Sequence, residues 1–187
     1  MENMLQANPD IQAVFAANDE MALGAMEAIS GAGKNIMVVG FDATDDAIAS
    51  IKAGQMAGTI AQQPALIGST AVTNALKLIN GEEIEKSIPV EVTLVTIDNV
   101  ETFAELEEAT AVVGDGSIGL AVSTQNNPFF VTLVEGAQNA ADAAGVKLTV
   151  ADAGDDSAKQ SADIEDLVDL ELEVSCEVFS RFLLHSS

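Results

Sequence analysis

Residues 13–25 read Ala13-Val14-Phe15-Ala16-Ala17-Asn18-Asp19-Glu20-Met21-Ala22-Leu23-Gly24-Ala25. A short apolar run, a polar cap and an apolar-periodic segment follow one another directly. Ala13–Ala16 suits a buried strand. Asn18 is a favoured helix N-cap, and Asp19 and Glu20 fall in the first turn, where acidic side chains complement the helix dipole. Ala22, Ala25, Met26 and Ile29 recur at helical spacing, and Gly31 or Gly33 ends the segment.

This strand–helix unit repeats along the chain. Upstream, Met1–Gln6 reads as the end of a helix stopped by Asn8-Pro9-Asp10. Downstream, Ile36–Phe41 is a strand followed by Asp42, and Thr44-Asp45-Asp46 opens a helix with Ile48 and Ile51 on its inner face. Met56–Ala61 is the next strand, ending at Gln62-Gln63-Pro64, and a long helix runs from Ala65 to Asn80 before Gly81. Val90–Val95 alternates with polar residues, as a half-exposed edge strand does. Alternation resumes with a strand at Ile118–Val122, a helix at Phe129–Ala144, a strand at Val146–Ala151 and a helix from Ser157 to about Val168. Such alternation predicts βαβ units and an α/β fold with a parallel sheet flanked by helices.

Four segments are expected. Residues 1–97 and 117–168 carry the βα pattern. Residues 98–116 form an acidic connector with Glu101, Glu105, Glu107 and Glu108, ending in Gly114-Asp115-Gly116. Residues 169–187 break the pattern and hold Cys176, Arg181 and His185, the sole residues of their types. This tail reads as an unrelated appendage, such as a shifted reading frame would give, or else as an amphipathic helix using Val178, Phe179, Phe182 and Leu183.

Composition narrows the function classes. The 187-residue chain is 48% hydrophobic, enough for a buried core, and carries 30 acidic against 7 basic side chains, a net charge of −23. Such a chain repels phosphate backbones and anionic lipid surfaces, which argues against nucleic-acid and membrane partners. Simple solubility explains the charge, and so does adaptation to high salt, where counterions screen the repulsion. One cysteine excludes an intrachain disulfide. No run approaches the ~20 apolar residues of a membrane helix. Met1-Glu2-Asn3-Met4 does not read as a signal peptide.

Ligands of open α/β sheets sit beyond the carboxyl ends of the strands. Asn18, Asp42, Gln62 and Asn127 are expected there, each just after a strand. Asn and Asp are also favoured at caps and turns, so each taken alone is more readily a structural residue; Gln62 is the exception. Together they suit a polyol: Asn and Gln offer donors and acceptors, and Asp accepts from two hydroxyls. Phe129 and Phe130 add flat apolar surface for a sugar ring, or else pack in the core at a helix start.

Asn126-Asn127-Pro128-Phe129-Phe130 after an aliphatic strand resembles the opening of the periplasmic ribose-binding protein family. Residues 17–25, Val38-Val39-Gly40-Phe41-Asp42 and Thr59-Ile60-Ala61-Gln62 resemble its later ligand segments. The likeness covers roughly residues 1–100 and 117–168. It implies a flavodoxin-like lobe and non-catalytic binding of a small, ribose-like sugar. Asn18, Asp42, Gln62 and Asn127 would hydrogen-bond the sugar, and Phe129 and Phe130 would stack on it. It further implies a periplasmic or extracellular location and an ABC uptake transporter as membrane partner; a homodimer is also admitted.

The departures are large. The segments stand in swapped order, so the chain reads as permuted or hybrid. The family's middle, with further ligand groups including arginines, is missing. Since the family's lobes are similar βα repeats, residues 118–168 are expected to fill the place before Val14 and complete one merged sheet. The effector domain of a sugar-responsive regulator is the alternative function, and a rearranged fragment without a ligand is the third.

Other signals fail on context. Gly114-Asp115-Gly116-Ser117-Ile118-Gly119 matches G-x-G-x-x-G but precedes its strand, whereas a dinucleotide loop follows one. Asp152, Asp155 and Asp156 lack the spacing of a calcium loop. His185 alone makes neither a zinc site nor a nucleophile–base pair. No cofactor, no metal and no catalytic set are expected.

Overall fold

The computed structural model describes residues 1–103 and 116–169, together with the backbone of 174–177. The elements are α1 (Glu2–Ala7), β1 (Ala13–Phe15), α2 (Asp19–Gly31), β2 (Met37–Phe41), α3 (Asp45–Lys52), β3 (Gly58–Ala61), α4 (Pro64–Ile79), β4 (Thr93–Thr96), β5 (Ser117–Val122), α5 (Pro128–Ala144), β6 (Lys147–Asp152), α6 (Ser157–Asp169) and β7 (Val174–Glu177). They form two compact units. The first is Met1–Gln63 with the residues from Val90 to 103; the second is Pro64–Pro89 with the described residues from 116 onward.

The first unit holds a four-stranded sheet in the order β1-β2-β3-β4. β1, β2 and β3 are parallel, and β4 pairs antiparallel with β3, Val95 opposite Thr59. Right-handed crossovers between successive neighbours put α2 and α3 on one face. Their apolar stripes meet that face: Ala22, Ile29, Val38, Ala47, Ile51, Met56 and Val95 form one buried cluster. Thr44 caps α3, its hydroxyl accepting from the Ala47 amide, and Lys52 sits in the last turn. On the opposite face the pairing register lines up Phe15, Met37 and Leu94 with Val39, Phe41 and Ile60. Phe15, Met37 and Leu94 are 61, 59 and 56% exposed, so this face stays open.

The second unit holds a parallel three-stranded sheet in the order β6-β5-β7. The step from β5 to β6 and the return past β5 to β7 run in opposite directions, which puts α5 and α6 on opposite faces. The core joins Ile118, Leu120 and Val122 of β5 to Phe130, Leu133, Ala137 and Ala141 of α5 and to Val72, Ala75 and Leu76 of α4. Gly145 ends α5 in the left-handed conformation.

Two expectations are corrected. One merged sheet does not form: residues 117–152 build a sheet of their own, and α4 leaves the strand it follows to pack on α5. Small residues permit that packing. Gly68 lies against the Leu133 backbone, and Gly136 against that of Ala65, where a Cβ would overlap carbonyl oxygens. The stretch 169–187 is also not wholly outside the βα pattern, since Val174–Glu177 pairs in parallel with Ile118–Ala121. The acidic residues Glu105, Glu107 and Glu108, with Gly114 and Asp115, and Phe179, Arg181, Phe182, Leu183 and His185 all lie outside the described residues.

Candidate functional site

In the first unit the carboxyl ends of β1, β2 and β3 lie side by side; Asp42 and Gln62 follow β2 and β3 directly, and Asn18 follows β1 after Ala16 and Ala17. The Gln62 Nε2 group donates to Asp42 Oδ1 at 2.7 Å. Asn18 caps α2, its Oδ1 accepting from the Met21 amide at 2.8 Å. The cap uses the oxygen and leaves the Nδ2 group available, so capping and ligand binding are compatible in one side chain.

Asp42 is buried, with 8% of its surface exposed. Burial pushes its carboxyl up to about 6; the Gln62 amide opposes this, and the charges of Asp19 and Glu20 reinforce it. Asp42 and Ala43 have φ of 114° and 58°, a conformation that non-glycine residues seldom adopt. The Asp42 amide donates to the Ile60 carbonyl at 2.8 Å, extending the β2–β3 pairing past the end of the strand.

In the second unit Asn127 caps α5, its Oδ1 accepting from the Phe129 amide at 2.8 Å, with Pro128 in the first turn. Phe129 and Phe130 meet edge to face, ring centroids 5.1 Å apart. Their exposures differ. Phe130 belongs to the core with Leu133, whereas Phe129 is half-buried and offers ring surface. Asn18, Asp42 and Gln62 are thus gathered on one sheet edge of the first unit, and Asn127 and Phe129 stand at one helix start of the second.

Sequence reading missed three residues. Asp19, assigned to the helix dipole, is fully buried and binds Thr44 and Thr59. Phe15 and Phe41, the last residues of the strands that Asn18 and Asp42 follow, stack edge to face at 6.3 Å. A bulky ring closing an aliphatic strand just before a polar cap was the available signal. Among the described residues no group of three His, Cys, Asp or Glu side chains is placed to hold a metal ion. Nor is any helix among them long and apolar enough to cross a membrane.

Residues 1–83 match the periplasmic binding protein domain. The chain is 52% identical over 95 residues to the ribose import binding protein of Haemophilus influenzae, covering 51% of this chain and 32% of that protein. It is 57% identical over 88 residues to the ribose import binding protein of Bacillus subtilis, covering 47% and 29%. Among solved structures, a periplasmic solute-binding protein from Actinobacillus succinogenes with bound D-allose superposes with a TM-score of 0.52 at 39% identity, over 55% of this chain and 36% of the other. A solute-binding protein from Bacillus halodurans with bound myo-inositol gives 0.51 at 41% identity, over 54% and 36%. The chain spans about a third of the length of these relatives, and over that third it is similar in sequence and in flavodoxin-like fold to the periplasmic sugar-binding proteins of import systems.

Proposed function

We propose that the chain binds a small neutral sugar of the ribose type without catalysis, as a solute-binding segment of an ABC import system acting in the periplasm. The supporting observation is the Gln62–Asp42 hydrogen bond, which fixes two polar side chains beside Asn18 at adjoining strand ends. A carboxylate with one oxygen engaged by an amide keeps its other oxygen for sugar hydroxyls, and Gln62 Oε1 and Asn18 Nδ2 add an acceptor and a donor. The relatives are named as binding proteins for import, which agrees with a role that needs no nucleophile or general base. The resemblance of residues 126–130 gives Asn127 and the half-buried Phe129 ring a sugar-binding role as well, Phe130 being taken by the core, and the family segments are read as standing in permuted order.

Binding should be weak. Hydrogen bonds to charged groups contribute ~1.5–3 kcal/mol each. Each such partner that this chain does not supply lowers affinity by roughly one to two orders of magnitude. Isothermal titration calorimetry with D-ribose, D-allose and myo-inositol tests the reading. Millimolar D-ribose binding that disappears in Asp42→Ala is expected. Absence of binding to all three sugars refutes it.

A further inference from the structure

We infer that Asp19 is a positioning residue for Asp42, holding the β2–α3 loop through Thr44 and Thr59; its role in binding rests on the sugar-binding reading of that site. Asp19 is completely buried at the start of α2, where a carboxylate needs partners to remain. Its partners come from the loop after β2 and from within β3. Thr59 of β3 donates its hydroxyl to Oδ1 at 2.7 Å. The Thr44 amide and hydroxyl donate to Oδ2 at 2.8 and 3.3 Å. The Thr59 hydroxyl oxygen also accepts from the Ala43 amide at 3.2 Å.

Both residues that follow Asp42 are therefore tied, directly or through Thr59, to one buried carboxylate. The tie falls where it is needed, because Asp42 and Ala43 hold consecutive positive φ angles that the chain would otherwise leave. Gly40 completes the device: a Cβ there would overlap Asp19 Oδ1, so only glycine lets the carboxylate reach across β2 to Thr59. An acidic residue in the first turn of a helix ordinarily faces solvent and serves the dipole. Here Glu20 is exposed and Asp19 is turned inward.

The test uses the full chain. Burial raises the Asp19 carboxyl and the Thr59 hydroxyl opposes that rise, so the hydroxyl is removed in Asp19→Asn, where no charge at position 19 can change. If the tie through Thr59 holds the loop, adding Thr59→Val to Asp19→Asn moves the Asp42 carboxyl titration, followed by carbon-detected NMR, down by half a unit or more as the loop relaxes and the carboxyl gains water. D-ribose affinity falls about tenfold in Thr59→Val and in Asp19→Ala. Asp19→Asn keeps an acceptor for Thr44 and a donor for Thr59, and holds the affinity within about threefold. An Asp42 midpoint in the double variant equal to that of Asp19→Asn alone overturns the inference. If the parent chain binds none of the three sugars, the functional reading fails alone and the titration still decides the role of Asp19.

Discussion

Gly68 of α4 and Leu133 of α5 lie so close that a single methyl group on Gly68 would overlap the Leu133 carbonyl oxygen. The obstacle is backbone, which cannot rotate away, so the helices must separate. Gly68→Ala should therefore destabilise the second unit by about 1–3 kcal/mol, the usual cost of overpacking, despite alanine's better helix propensity. Gly24→Ala in α2 is the contrast. Nothing lies within 4 Å of a Cβ there, so the same exchange should stabilise the first unit by about 0.5–1 kcal/mol. Urea melts of the two variants check the pair, and a Gly68→Ala chain as stable as its parent would show that the helix contact is loose.

Asp42 gives opposite pH dependences for binding and stability. Its folded carboxyl titrates at about 6, above the ordinary 3.8. Binding uses the ionised form, so D-ribose affinity should fall about tenfold from pH 7 to pH 5. Stability runs the other way. Between about pH 4 and 6 the folded chain holds the proton more tightly than the unfolded chain, so the contribution of Asp42 to stability falls as pH rises through that window. Asp42→Asn should accordingly be more stable than the parent at pH 7, by on the order of 1 kcal/mol after solvent screening, and equal to it near pH 4. Thermal melts across pH 4–7 check this; parallel curves for the two chains would count against it.

The sequence made the elements legible because each carries a local signature. Asn18 and Asn127 announce α2 and α5, and both do cap those helices. The edge strand expected near Val90–Val95 forms at Thr93–Thr96. What the sequence left open was the destination of α4. An apolar stripe says that a helix must be covered but not by which surface, and Gly68 and Gly136 become informative only once α4 and α5 face each other. Site residues followed the same division. Asn18, Asp42 and Gln62 were readable as polar residues after strands. The inward turn of Asp19 depends on Thr59, forty residues away in the chain, and on Gly40 between them. The difference between Phe129 and Phe130 was unreadable because both fall in the first turn of α5 and the core claims the second.

Salt should stabilise the chain. Net charge is −23, and among the described residues the ion pairs are Lys52–Glu101 at 3.8 Å and Lys159–Asp163 at 2.6 Å. Screening thus weakens much repulsion and little attraction. The Debye length falls from ~10 Å at 0.1 M to ~3 Å at 1 M. The melting temperature should rise by several degrees between those sodium chloride concentrations. Dilute samples are needed, because screening also favours contact through the open face of Phe15, Met37 and Leu94. An unchanged or lowered melting temperature would count against charge repulsion as a significant cost to folding.

The last strand makes removal of the tail a sharp experiment. Residues 169–187 read in sequence as an unrelated appendage, yet β7 pairs with β5 from Ile118↔Val174 to Ala121↔Glu177. β5 is the central strand of its sheet, and Ile118, Leu120 and Val122 are among its buried residues. A chain ending at Asp169 would turn β5 into an edge with unpaired backbone groups, the usual template for association. It would also leave the second unit with a two-stranded sheet that depends on the helices packed against it. That chain should unfold at lower urea and associate at micromolar concentration. A chain ending at Glu177 keeps all four register pairs and should match the full chain. Urea melts with light scattering on the three lengths separate the cases. If the chain ending at Asp169 melts with the full chain and stays monomeric, β7 contributes nothing and the second unit is held by α4 and α5 alone.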